Sequence, residues 1–311
     1  MLNINYSRDL YQNIDHLTMS RNTEVTKSSN AWLNGLLGVI IFSGSLPATR
    51  IAVLDLDPFF VTVARATIAG ILALIVLLIN KEKFPQKTQF LSLGIIALGV
   101  VIGFPLLSAL ALRYVTSAHS IVFVGILPVS TAVFGIIRGG ERPRPVFWIF
   151  SILGSLFVVG YALMQGISSS PVGDILMLLS VILCGLGYAE GGKLSKTLGG
   201  WQVISWALVF SLPVALPLTY IFLPTTIAHV GIGAWTSLAY VSFFSMFIGF
   251  IFWYKGLAQG GIASVGQLQL LQPFFGLILA ASLLREEVSI GMLFVTIAVI
   301  LCVGGAKKFA S

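Results

Sequence analysis

The chain has 311 residues, of which 57% are hydrophobic and only 9% charged, with a mean hydropathy of +0.98. Soluble domains carry roughly 25% charged residues to face water, so this composition excludes an ordinary water-soluble fold. The formal charge of +7 does not point to nucleic acid either, because Lys and Arg fall in short tracts between apolar runs rather than in a basic stripe interleaved with aromatics.

In chain order, residues 1–30 are polar, mixed in charge and without the apolar core of a signal peptide. They are expected to be a disordered tail or an upstream extension of a start at Met19. A helix needs roughly 20 residues to cross a hydrocarbon core of about 30 Å. Runs of that kind occupy residues 31–50, 59–79, 90–112, 117–137, 146–165, 173–194, 201–222, 234–257, 264–284 and 288–306. The loops between them are short and often contain Pro or Gly, as at Leu56-Asp57-Pro58. The runs are continuous and do not alternate in ten-residue strands, which excludes a transmembrane barrel. Both cysteines, Cys184 and Cys302, lie inside apolar runs without metal-ligand spacing and are expected to be plain packing residues.

Basic residues settle the expected orientation. Tracts such as Lys81/Lys83/Lys87, Arg138/Arg142/Arg144, Lys193/Lys196 and Lys307/Lys308 fall on one side, and only Arg50, Arg113 and Arg285 on the other. Both termini are therefore expected in the cytoplasm, in a bacterial-type cytoplasmic (inner) membrane. A shift of 145 residues superposes Leu112 on Leu257, Ala118 on Ala263, Pro128 on Pro273, Glu141 on Glu286 and Gly160 on Gly305. Five spans per copy is an odd number, so the second copy enters the membrane upside down. The expected fold is all-α, with ten transmembrane helices arranged as two inverted five-helix repeats over 31–165 and 172–308. Inverted repeats suit alternating access, with the ligand site near the midplane between them.

Several residues are candidates for the chemistry. Ionisable groups inside spans usually face a bundle interior or a water-filled path. Glu190 suits a cationic group or a coupling proton, or else a pair with Lys193 or Lys255. Arg65 suits a substrate carboxylate, or a pair with Asp55 or Asp57. Lys255 closes a gate on Glu190 or extends to the headgroups, and His119 is a candidate for titration near neutral pH. Gln267, Gln269 and Gln272 make one apolar run unusually polar, as pathway amides or as interhelical bonds. Tyr188, Trp206, Tyr240 and Tyr254 wall a cavity or belong to interfacial belts. Pro128 and Pro273 each free a carbonyl near mid-span and permit a bend, as hinges or as static kinks.

Ser45-Leu46-Pro47-Ala48-Thr49-Arg50-Ile51-Ala52, Asp57-Pro58-Phe59 followed by Ala64-Arg65-Ala66, and Ala111-Leu112-Arg113-Tyr114-Val115-Thr116-Ser117-Ala118 with Pro128 and Glu141 together form a pattern that resembles the EamA-type members of the drug/metabolite transporter superfamily. Leu257-Ala258-Gln259-Gly260-Gly261-Ile262-Ala263, Gln272-Pro273 and Glu286 repeat the last of these segments. One departure is Phe42-Ser43, where the family usually has Trp-Gly. The resemblance implies a secondary transporter, often an exporter, of small metabolites. Sparse buried charge favours amino acids, amines or amphipathic compounds, with protons as a coupling ion. No nucleotide-binding motif, metal site or cofactor is expected, and oligomeric state is not encoded legibly. An intramembrane enzyme or a non-transporting scaffold is the alternative; neither a nucleophile–base pair nor a His/Glu metal motif supports the enzyme.

Overall fold

The structure is a computed structural model that describes residues 29–115, 120, 123–164, 170–225, 229–276 and 290–310. Helical segments follow one another along the chain: α1 Ser29–Asp55, α2 Pro58–Ile79, α3 Lys87–Ala111, α4 Leu127–Ile137, α5 Pro145–Met164, α6 Pro171–Leu198, α7 Gly200–Ile221, α8 Ile232–Gly260, α9 262–276 and α10 Ile290–Phe309. Six of them, α1–α3 and α6–α8, are long and apolar enough to cross a membrane by themselves. The expected disorder of residues 1–30, and the expectations for His119 and Glu286, fall almost wholly outside the described residues.

Local chemistry accounts for the helix starts. Asp57 Oδ1 accepts the N–H of Phe59 and of Phe60, at 2.8 and 3.3 Å, with Pro58 in the first turn where its missing donor costs nothing. Ser170 caps α6 in the same way through the N–H of Gly173, again ahead of a proline. Gly199 and Gly261 begin α7 and α9 at φ +95° and +89°, a conformation that favours glycine.

The shift seen in the residues also appears in the helices. α3 begins at 87 and α8 at 232; α5 covers 145–164 and α10 covers 290–309. Within α3 the backbone widens to π-helix over Ala97–Gly103, and within α8 over Val241–Ile248. The packing is paired likewise: α2 lies along α7, α5 along α10, and the contact of α1 with α8 is matched by that of α6 with α3. Close approaches rely on glycine. A Cβ at Gly99 would stand 2.6 Å from the Leu183 carbonyl, and one at Gly256 would stand 2.7 Å from the Gly35 nitrogen.

Large apolar side chains such as Leu78, Ile79, Leu91, Ile149 and Leu301 are more than half exposed around the outside, while among the described residues serines, glutamines, Arg65 and Glu190 are buried within. That arrangement fits a hydrocarbon surround and not water.

Candidate functional site

A cavity lies at the seam between the two halves. Its walls come from α1 (Phe42, Ser45, Leu46), α2 (Arg65), α3 (Val100, Phe104), the approach to α4 (Val124, Leu127), α6 (Tyr188), α8 (Ser245, Phe250) and α9 (Gln272). Two pairs of lining positions are related by the same shift, Val100 to Ser245 and Leu127 to Gln272. At these two positions the first half is apolar and the second polar. The space is narrow. It amounts to about 20 Å³, room for roughly one water, so anything larger enters only if the helices separate.

The two π-helical segments flank this cavity, and the wider turns aim Val100 and Ser245 inward. Such turns are frequent at functional sites. Ser45 and Ser245 share a hydrogen bond of 2.7 Å between their hydroxyls across the seam, and Arg65 Nη2 donates to Ser245 Oγ at 3.4 Å. Gln272 Nε2 donates to the Phe42 carbonyl, also at 3.4 Å.

Irregular backbone precedes both prolines. α4 begins at Leu127 after a turn at 125–126, so Pro128 sits in its first turn. Residues Gln267–Leu271 are 3₁₀-wound, and α-helix resumes at Gln272, immediately before Pro273. Each proline therefore stands just after a break in its helix, where its missing N–H is tolerated.

One end of the seam is closed by carboxylates. Glu190, fully buried, accepts from Ser92 Oγ at 2.5 Å and from Arg138 Nε at 2.7 Å. Ser92 and Arg138 belong to the first half and Glu190 to the second. That hydrogen bond, reinforced by the carboxylate charge, raises the Arg138 guanidinium above its ordinary value. Glu141 bridges the halves as well: its two oxygens accept the N–H of Ile262 at 2.6 Å and of Ala263 at 2.7 Å, at the start of α9. Free N–H groups and the positive end of a helix make a natural seat for a carboxylate. Between this end and the cavity lies an aromatic cluster: Phe42 and Phe250 have ring centroids 5.0 Å apart, Tyr188 and Trp253 5.2 Å, and Phe250 and Tyr254 5.2 Å. A larger, open cleft of about 400 Å³ lies beside Glu141, lined also by Trp32, Arg142 and Lys307. It too is lined from both halves, but it lies at the end of the bundle with its acid already engaged by α9, whereas the small cavity lies among the buried groups of the interior.

Of the expected site residues, Arg65, Tyr188 and Gln272 meet in the cavity. Others sit elsewhere. Glu190 pairs with Arg138, not with Lys193 or Lys255, both of which are exposed; a gate between Glu190 and Lys255 is thereby ruled out for this conformation. Arg65 meets neither acid expected for it, because Asp57 caps α2 and Asp55 Oδ2 accepts the Gly231 N–H at 3.0 Å. Tyr240 donates to the Ile41 carbonyl at 2.6 Å and Tyr254 to that of Gly187 at 3.2 Å. Trp206 packs against Phe84, 5.1 Å between centroids, away from the cavity lining. Gln267 and Gln269 are fully buried but do not line the cavity. The 3₁₀ winding there changes which side chains share a face. Ser45, Ser245, Phe250, Ser92 and Arg138 had no role assigned from the sequence. The shift of 145 that pairs Val100 with Ser245 was the available signal for one of them.

The chain matches the model of the EamA-like transporter family twice, over residues 30–163 and 171–306. It is 64% identical over 286 residues to an uncharacterized transporter, YdeK, of Bacillus subtilis (strain 168), covering 92% of this chain and 100% of that one. An uncharacterized transporter of Archaeoglobus fulgidus is 26% identical, covering 81% of this chain and 88% of its own. A solved structure, described only as the crystal structure of a protein, superposes with a TM-score of 0.73 over 90% of this chain and 98% of its own, at 18% identity. That last likeness concerns the fold alone.

Proposed function

Because the chain belongs to the EamA-like transporter family, and so to the integral membrane proteins, we propose that it is a secondary transporter of small metabolites, working by alternating access between two five-helix repeats of opposite orientation. In this reading ten helices cross a bacterial-type cytoplasmic membrane, both termini are cytoplasmic, and the direction is export. The substrates are amino acids, amines or amphipathic compounds, and protons drive the cycle. One observation carries the reading: the lining of the central cavity includes two pairs of equivalent positions of the two halves, Val100 with Ser245 and Leu127 with Gln272. A site made of equivalent positions becomes accessible from either side when the halves exchange conformations. The links through Glu190 and Glu141 are the bonds that must break for the end they close to open. Glu190, the buried carboxylate of that seam, is the proposed proton carrier, released from Arg138 when that end opens.

Reconstitution into liposomes with a panel of labelled solutes tests the proposal. Uptake or counterflow of at least one solute, accelerated by a proton gradient, is expected. No flux for any solute, together with a lipid-modifying activity, would overturn it. Glu190→Gln is expected to abolish the pH dependence of transport; unchanged coupling would move that role to another group.

A further inference from the structure

Arg65 stands out among the buried groups because nothing described around it balances its charge. It is only 4% exposed. Its one described bond is the 3.4 Å contact to Ser245 Oγ, and its Nε has no partner among the described residues. Among the described residues, the cavity lining holds no Asp, Glu, Lys or His beside it. Asp57 and Asp55 are committed to backbone N–H groups, and Glu190 to Arg138 and Ser92. A buried cation without an anion is costly, and a guanidinium is the side chain best shaped to take a carboxylate through two parallel bonds.

The surroundings complete the description of the missing anion. Ser45 and Ser245 hydroxyls lie next to the guanidinium, and Gln272 Oε1 is buried with no partner. Phe42, Phe104 and Phe250 supply the rest of the wall together with Tyr188. Among the described residues the polar groups thus include one fixed positive charge and no negative one, and the remainder is aromatic or aliphatic.

We propose that Arg65 is the anion-binding group of the transport site, and that the substrates are small amphipathic monocarboxylates. The carboxylate is held by Arg65 with Ser45 and Ser245, and the apolar body lies among Phe42, Phe104, Tyr188 and Phe250. This rests on the transporter reading and narrows it: simple amines, which would place a second cation beside Arg65, are excluded. An added hydroxyl or amide on the substrate finds Gln272 Oε1.

Equilibrium binding tests the assignment independently of flux. The full chain in nanodiscs is titrated with three probes of matched shape: 3-phenylpropionate, 3-phenylpropionamide and 3-phenylpropylamine. The carboxylate is expected to bind at least about tenfold more tightly than the amide, the scale of charge-assisted hydrogen bonds, and the amine not at all. Arg65→Gln is expected to erase the preference for the carboxylate over the amide, and Arg65→Lys to keep part of it. In the absence of ligand, Arg65→Gln is expected to melt no lower than the wild-type chain, since it removes an uncompensated charge. Failure of the carboxylate to bind, equal binding of amide or amine, a carboxylate preference that survives Arg65→Gln, or a large loss of melting temperature in that variant would each overturn the assignment. Sodium chloride matching the effect of the carboxylate would overturn the amphipathic substrate. Selective binding without flux in liposomes would leave Arg65 as an anion site and remove the transporter reading instead; flux of solutes indifferent to Arg65→Gln would do the reverse.

Discussion

The ion pair between Glu190 and Arg138 predicts an asymmetry that mutation can measure. The two partners differ in their access to water: Glu190 has none, whereas the Arg138 side chain is 34% exposed. Arg138→Met therefore strands a carboxylate inside the bundle, with the Ser92 hydroxyl as its remaining described hydrogen-bond partner. Removing one partner of a buried pair costs about 3–5 kcal/mol, and because Arg138 is partly solvated, the lower figure of about 3 kcal/mol applies. Glu190→Gln leaves an arginine that can turn outward and an amide that keeps the bond from Ser92, so about 1 kcal/mol is lost. With both charges removed, no stranded group remains, and the double variant is expected to lose less than Arg138→Met alone. For a chain of this size, roughly 2 °C of melting temperature corresponds to 1 kcal/mol. The expected decreases are then about 6 °C for Arg138→Met, about 2 °C for Glu190→Gln, and an intermediate value for the pair. Thermal unfolding of the three proteins in one detergent, followed by tryptophan fluorescence, supplies the comparison. Equal losses in the two single variants, or a double variant equal to their sum, would refute the claim that Glu190 and Arg138 stabilise each other.

Two further outcomes follow from the packing. Glu141→Gln keeps an acceptor for one of the Ile262 and Ala263 N–H groups and gives up the other along with the charge at the helix start, a loss of about 1–2 kcal/mol; hydrogen exchange at residues 262–266 is expected to quicken, and unchanged protection there would refute the clamp. At Gly187 a Cβ already meets Val100 Cγ1 at 2.7 Å and the Gly99 Cα at 3.3 Å, so Gly187→Leu must separate α3 from α6. Its yield of monodisperse protein on size exclusion is expected to collapse, and a normal profile would contradict the close approach.

Much of this architecture was legible in the residues because it is carried by repetition. Pro128 and Pro273, read from the sequence as mid-span bends, stand instead just after matching breaks in the winding, each in the first turn of a helical stretch. Of the three glutamines that make α9 polar, Gln272 lies at the cavity and Gln267 and Gln269 do not. The partners were not legible. Arg65 and Asp57 are eight positions apart in sequence, yet the carboxylate goes to the two N–H groups directly after it; the Asp-Pro start of α2 was the visible sign of that competing use. Glu190 finds Arg138 from 52 residues away, across a contact between helices that hydropathy does not encode. Trp206 and Tyr188 lie on neighbouring helices and look equally suited to a cavity wall, but which face of a buried, apolar helix meets which neighbour depends on packing that is nearly uniform in composition.

The paired π-helical segments alter how substitutions along α3 and α8 must be interpreted. An α-helix advances its side chains by about 100° per residue, and a turn that takes in an extra residue rotates everything beyond it by about that amount. A helical wheel drawn from Ile232 through to Gly260 would therefore carry the wrong face past Val241–Ile248, and one drawn through α3 would do the same past Ala97–Gly103. Scanning mutagenesis of these helices should show two phases of sensitivity, one on each side of the wide turns, with positions such as Phe104 and Phe250 falling in the second phase.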